Sequence, residues 1–175
     1  KELLQTKIPS NIIAIYQKLM NDGYAIQDIM ILTSQNKGDY GTKAINDVVQ
    51  RFMQKGKNNK FIMRGKDKFY LGDKILQTTN NYKALNLYGE ETDIFNGNTG
   101  VVIDVSWNNL SVDYGDKVIV YDKTDLDQIE LGYCITTHKS QGDSAKQVIT
   151  IAPKAHTFML NANLLYVAGT RAKER

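Results

Sequence analysis

The chain has one cysteine and two histidines in 175 residues. A single thiol, Cys134, excludes an internal disulfide framework and a cysteine-rich zinc site, and it fits a reducing, intracellular compartment. Two imidazoles, His138 and His156, are too few for a His-based centre, so no metal site is expected. No apolar run approaches the roughly 20 residues that a membrane helix needs. No apolar segment follows Lys1-Glu2-Leu3-Leu4-Gln5, as a secretory leader would require. A cytoplasmic protein without a membrane partner is therefore expected. The chain begins without Met and stops on Lys173-Glu174-Arg175, and it reads as a fragment.

A phosphate-cradling loop is also absent. Such a loop needs G-x-x-x-x-G-K-[ST] between a strand and a helix. Gly56-Lys57 is followed by Asn58 and Gly65-Lys66 by Asp67, so neither Gly-Lys pair qualifies. No apolar strand ends in a paired acid suited to Mg²⁺. No Ser/His/Asp, Cys/His or paired-carboxylate constellation emerges. Alone, this chain is expected not to hydrolyse ATP well. The net charge of +3 is too small to identify a nucleic-acid partner by itself.

The patterns that are present come in two textures. Pro9-Ser10-Asn11 punctuates the start of a helix that Ser10 or Asn11 could cap, and Ile12, Ile13, Ile15, Tyr16, Leu19 and Met20 recur at helical spacing. Asn21-Asp22-Gly23 ends it. Ile29–Leu32 is a short continuous apolar run, as in a buried parallel strand. A polar loop from Thr33 to Gly41 follows. Thr42 could cap the next helix, which carries Ala44, Ile45, Val48, Val49, Phe52 and Met53. This is half of an α/β unit. From about 66 to 130, short β-like runs alternate with turn residues: Lys68–Thr78, Gly100–Ser106, Leu110–Tyr114 and Lys117–Tyr121. Asn96-Gly97-Asn98 and Trp107-Asn108-Asn109 are turn signals. Five or so strands in about 60 residues suggest a small barrel. The stretch Asn80 to Asp93 reads as a polar, mobile loop. Beyond 131 the α/β texture returns, with strands at 133–137 and 148–152 and a last helix carrying Leu160, Leu164, Leu165 and Ala168. The expected architecture is an α/β domain interrupted by a β-barrel.

Three segments could carry chemistry. Thr136-Thr137-His138-Lys139-Ser140-Gln141-Gly142 directly follows a parallel strand, where open α/β sheets bind ligands. It offers hydroxyls, an imidazole, an ammonium and an amide, and Gly142 permits close backbone approach. A solvated loop is the alternative. An apolar helix face leads to Arg171, whose guanidinium could grip phosphate oxygens, as in phosphoryl transfer assisted by a second domain. A surface arginine near a helix C-terminus is the alternative. Lys37, between Ser34 and Gly41, could meet phosphate or lie in a plain turn.

These segments also carry a resemblance. YCITTHKSQG at 133–142 resembles motif V of RecD-like superfamily-1 helicases, and LYVAGTRAK at 165–173 resembles their motif VI. DIMILTSQNKGDYGTKAINDVVQ at 28–50 is similar to the motif IV region. FYLGDKILQTTNNY at 69–82 and FNGNTGVV at 95–102 resemble the SH3-like insertion of the same family, the exodeoxyribonuclease V alpha-chain type. The resemblance covers nearly the whole chain in the family's order.

It implies an α/β, RecA-like (P-loop-NTPase-type) second motor domain over 1–65 and 129–175, interrupted by an SH3-like β-barrel at 66–128. It implies an ATP-dependent helicase moving 5′ to 3′ on single-stranded DNA. ATP and Mg²⁺ would be bound mainly by a first motor domain that this chain lacks. The implied roles are Arg171 as arginine finger, Gly142, Gln141 and Lys37 towards the nucleotide, and Thr137, His138, Lys139 and Ser140 along the DNA. Asn80, Asn81 and Asn96 fall in family turns and need be no more than turn formers. The implied partners are single-stranded DNA, the first motor domain and other subunits of a nuclease–helicase complex. Asp143-Ser144 departs from the family's Ser-Glu, and Gly169 replaces a larger apolar residue before Thr170-Arg171. The competing reading is a non-catalytic nucleic-acid-binding or protein-interaction module built around the barrel.

Overall fold

The structure, a computed structural model, describes residues 8–136 and 145–151. Two compact units emerge, one within Lys1–Phe52 and Tyr133–Arg175, the other spanning Met53–Gly132. No described helix is long and apolar enough to cross a membrane.

The first unit is α/β. Helix α1 (Ile8–Asn21) buries Ile12 and Tyr16, one helical turn apart, and leaves Ile15 exposed. The helix already includes Ile8, so Ser10 and Asn11 lie inside it rather than capping it. Pro9 is compatible with this, because a first helical turn leaves its N–H groups unpaired in any case. The C-terminus closes as expected. Gly23 adopts φ 96°, its N–H reaches the Met20 carbonyl at 3.1 Å, and the Tyr24 N–H reaches the Leu19 carbonyl at 3.1 Å. That reciprocal pair is a Schellman closure, which needs the left-handed conformation glycine adopts freely.

After a 3-10 turn at Ile26–Asp28, strand β1 (Ile29–Thr33) is buried along its whole length. It lies between two strands from the far end of the chain, β11 (Cys134–Thr136) and β12 (Gln147–Ile151), and pairs with both in parallel. A strand flanked by parallel neighbours and covered on both faces should read as unbroken β-branched and aliphatic residues, which Ile-Met-Ile-Leu does. Helix α2 (Thr42–Gln54) follows, with Ile45, Asn46 and Val49 buried. Its N-cap is Gly41 rather than Thr42, because the Gly41 carbonyl accepts the first helical bond, from the Ile45 N–H at 3.1 Å.

The second unit is antiparallel. A hairpin of β2 (Phe61–Arg64) and β3 (Asp67–Tyr70) precedes a seven-stranded sheet in the order β10-β4-β7-β8-β9-β5-β6. Its strands are β4 (Lys74–Gln77), β5 (Asn81–Asn86), β6 (Glu91–Ile94), β7 (Thr99–Val105), β8 (Asn109–Asp113), β9 (Val118–Asp122) and β10 (Ile129–Leu131). One core joins Ile62 and Phe69 of the hairpin to Ile75, Val102, Leu110, Val112, Ile119 and Ile129 of the sheet. The strand order has two ends, β10 and β6, so this ladder is an open sheet and has more strands than the five or so expected.

Two expectations need correction here. The run Lys68–Thr78 is two strands, broken by the turn at Leu71-Gly72-Asp73, with Gly72 at φ 84°. The polar stretch Asn80 to Asp93 contains β5 and β6. Its polarity reflects strand faces turned to solvent and asparagines used as ties. The Asn81 amide donates to Gln128 Oε1 at 2.9 Å, and Asn80 Oδ1 accepts from the Asn96 N–H at 2.9 Å. Inside the sheet, Tyr121 hydroxyl donates to Gln77 Oε1 at 2.7 Å and meets the Tyr114 hydroxyl at 2.8 Å. These polar groups are satisfied where an unpaired one would be costly.

Gly132 ends β10 against the backbone of β4. A Cβ there would lie 2.7 Å from the Ile75 carbonyl carbon and 2.9 Å from the Leu76 nitrogen. Backbone atoms held in a ladder cannot give way, so Gly132→Ala is expected to destabilise the second unit by about 1–3 kcal/mol, as overpacking does. Urea unfolding monitored in this unit checks it. An unchanged midpoint would mean that β10 can shift.

Candidate functional site

The candidate site is built from strand ends. Thr33 pairs with Thr136 on one side and with Ile151 on the other, so β1, β11 and β12 finish level. Segments leaving such a level edge converge where α/β sheets bind ligands. The loop after β1 is tied down at its base. Thr33 Oγ1 donates to the Tyr40 carbonyl at 2.8 Å, the Thr42 N–H donates to the Gln35 carbonyl at 3.1 Å, and the Gly41 N–H donates to the Gly38 carbonyl at 2.9 Å. Gly41 is required by crowding: an added Cβ would sit 2.6 Å from the Asn36 carbonyl oxygen. Lys37 is exposed within this closed loop.

Strand β11 leads into the second segment. The other proposed site residues, Thr137, His138, Lys139, Ser140, Gln141 and Gly142 after β11, and Arg171 near the C-terminus, lie outside the described residues, as do Asp143, Gly169 and the last helix. Among the described residues, the edge therefore holds the Lys37 loop and the point of departure of the 137–142 segment.

One residue near this edge is not singled out by its sequence pattern. Asn46, on the buried face of α2, donates through Nδ2 to the Cys134 carbonyl at 2.9 Å and accepts at Oδ1 from the Cys134 N–H at 2.8 Å. The amide replaces a neighbouring strand for that residue of β11. The register explains why it is needed. Ile31 N–H bonds to the Tyr133 carbonyl, so the Cys134 backbone groups face away from β1. The available signal was an asparagine between Ile45 and Val49 on an apolar helical face. Asn46→Leu leaves a buried N–H and C=O unpaired and is expected to cost about 2–4 kcal/mol. Faster amide exchange at Cys134 together with a lower unfolding midpoint would establish it. Native protection in the variant would exclude it.

Burial also controls the ionisable groups. It raises the Cys134 thiol well above its ordinary value of 9.0, and raises Tyr16, Tyr114 and Tyr121 well above 10.0. The folded state thus holds these protons more tightly than the unfolded chain. The stability they contribute is complete below the unfolded values and is lost as pH rises beyond them. The urea midpoint should be level near neutrality and fall above about pH 9, first through Cys134. Cys134→Ala should delay the fall until tyrosine ionisation near pH 10. A wild-type midpoint still level at pH 10 would contradict this.

Comparison with known proteins bears on this arrangement. Residues 131–175 match the UvrD-like helicase C-terminal domain. The ATP-dependent RecD2 DNA helicase of Deinococcus radiodurans is 32% identical over 147 residues, 84% of this chain and 19% of that protein. Over most of its length the chain is similar to RecD-like helicases. The RecD subunit of the RecBCD enzyme of Mycolicibacterium smegmatis is 32% identical over 145 residues, 83% of this chain and 24% of that subunit. The chain spans about a fifth to a quarter of the length of these relatives. Among solved structures, Bacteroides Pif1 bound to single-stranded DNA matches with TM-score 0.52 at 16% identity, over 86% of this chain and 39% of that one. Pif1 helicase at forked double-stranded DNA matches with TM-score 0.51 at 18% identity, over 86% and 38%. At these identities the likeness concerns the fold: a helicase-like parallel sheet accompanied by an antiparallel one.

Proposed function

We propose that this RecD-like chain is the C-terminal motor half of an ATP-dependent helicase that translocates on single-stranded DNA. The observation that carries the reading is the level edge of β1, β11 and β12, from which the motif V-like run 133–142 departs. In this reading the first unit is a RecA-like second motor domain and the antiparallel unit, Met53–Gly132, is its SH3-like insertion. The parallel pairing of β11 and β12 with β1 supports it, because an interrupted α/β domain must rejoin its own sheet.

Among the described residues, no group of three or more acids, histidines or cysteines could hold a metal ion. No phosphate loop occurs in the sequence. In this reading the Mg²⁺ ligands and the triphosphate cradle belong to a first motor domain, and the chain by itself is expected to be inactive. ATP bound there supplies the phosphoryl group. Gly142, Gln141 and Lys37 approach the nucleotide from this side. Arg171 stabilises charge developing on the transferred group, which costs least when the donor is already oriented. Thr137, His138, Lys139 and Ser140 hold the DNA backbone, so binding is salt-sensitive and nearly sequence-blind. Closure of the two motor domains couples these contacts. The longer protein acts alone or as a subunit of a nuclease–helicase complex.

The test requires the longer protein. A phosphate loop is expected upstream of Lys1. Arg171→Ala is expected to lower DNA-stimulated ATP turnover by at least about 10³-fold while nucleotide binding persists. Unchanged turnover would remove the arginine-finger assignment, and the lack of an upstream phosphate loop would remove the motor assignment.

A further inference from the structure

The β2–β3 hairpin has a composition unlike the rest of its unit. Residues 55–68 hold six basic side chains, Lys55, Lys57, Lys60, Arg64, Lys66 and Lys68, against one acid, Asp67. From residue 75 to 131 the balance reverses, with three lysines against ten acids. Five of the six cations, all but Arg64, are exposed. Arg64 is structural: its guanidinium donates to the Leu126 and Ile129 carbonyls and to Asp67.

The hairpin's geometry sorts its two faces. Gly65, at φ 58°, and Lys66 form a two-residue turn with a positive φ at its first position only, a type II′ turn that suits tight hairpins. Phe61 then pairs with Tyr70, Ile62 with Phe69, and Met63 with Lys68. Ile62 and Phe69 enter the core. Alternation along the strands puts Phe61, Met63, Lys68 and Tyr70 on the opposite face. There the Phe61 and Tyr70 rings lie 5.2 Å apart, and Lys68 Nζ stands 4.6 Å over the Phe61 ring centroid. Phe61 is 44% exposed and Met63 41%. Phe61 thus presents part of its ring to solvent beside several ammonium groups, a combination suited to a ligand that is both flat and anionic. A nucleotide is both, with a base to stack on the ring and a phosphate to meet the ammonium groups.

We propose that this hairpin face is an accessory contact for single-stranded nucleic acid, with Phe61 stacking a base and Lys57, Lys60 and Lys66 pairing with flanking phosphates. It rests on the helicase reading only for the identity of the polymer, and it uses none of the strand-end residues assigned above.

Binding of the full chain to fluorescein-labelled oligo-dT, without nucleotide, tests it. Phe61→Ala is expected to weaken binding about tenfold. The triple variant Lys57→Glu/Lys60→Glu/Lys66→Glu is expected to weaken it further and to flatten the slope of log affinity against log salt by about two. Lys83→Glu, an exposed charge reversal on β5, should change affinity less than about twofold. The triple variant's unfolding midpoint should match that of wild type, since these lysines are exposed, and Phe61→Ala, which loses the Tyr70 ring contact, should remain fully folded at the assay temperature. Three results would overturn the proposal. The chain could fail to bind oligo-dT at low salt, or the hairpin variants could bind like wild type. Alternatively, heparin could compete as well as oligo-dT while Phe61→Ala binds normally, which is the behaviour of a mere polyanion surface. None of these touches the Arg171 test in the longer protein, so the two readings stand or fall separately.

Discussion

The first unit depends on the double ladder of β1. Five consecutive buried residues, Ile29–Thr33, pair along the whole strand with β12 and over Ile31–Thr33 with β11. Both partners come from beyond residue 132, roughly a hundred positions along the chain. Neither can be exchanged for water, because the strand is covered. The interruption by the antiparallel unit is thus tolerated only if the chain returns in register. Asn46 extends this requirement one layer outward, serving the backbone of Cys134 that β1 leaves unpaired. A buried side-chain amide in that role ties helix α2 to β11 more selectively than apolar contact would, since both of its hydrogen bonds require one register.

Much of this was legible in the sequence. The Ile-Met-Ile-Leu run gave β1, and the apolar runs near 134 and 148 gave its neighbours, because full burial writes itself as uninterrupted hydrophobicity. Gly23 marked a helix end through its left-handed φ. The failures share a physical cause. Strands β5 and β6 hid in a polar stretch because a solvent-facing strand carries polar residues and its asparagine ties look like loop residues. Strand β2 was missed because Phe61-Ile62-Met63-Arg64 is short and lies beside a lysine-rich turn. The N-cap of α2 was displaced by one residue because Gly41, not a hydroxyl, fits beneath the Asn36 carbonyl. An asparagine on the apolar face of α2 marked Asn46, but its role was not legible because its partner lies 88 positions away. Of the candidate site residues, Lys37 alone falls among the described residues, in a loop tied at its base.

The functional reading combines two separate supports. Kinship with RecD-like helicases comes from similarity spread over most of the chain. The level edge of three parallel strands comes from backbone pairing and owes nothing to that kinship. Together they motivate the proposal that the loops leaving β1 and β11 face the nucleotide and the DNA. The antiparallel unit supports a different use. The contrast between its acidic sheet and its basic hairpin is what would steer a polyanion to one face of this unit if the proposed contact holds.

The open ends of the seven-stranded sheet have a further consequence. An unpaired strand edge is a template on which a second copy can add. Here each end carries its own obstruction. On β6, Glu91 and Asp93 are exposed, and Lys117 reaches across to the Asp93 carbonyl at 2.9 Å. On β10, the Arg64 guanidinium occupies the Ile129 carbonyl. A recruited strand would have to displace a cation from a backbone oxygen at either edge, and at β6 it would also have to bury carboxylates. Charge placed at the sheet's margins therefore lets this unit remain an open sheet without becoming adhesive.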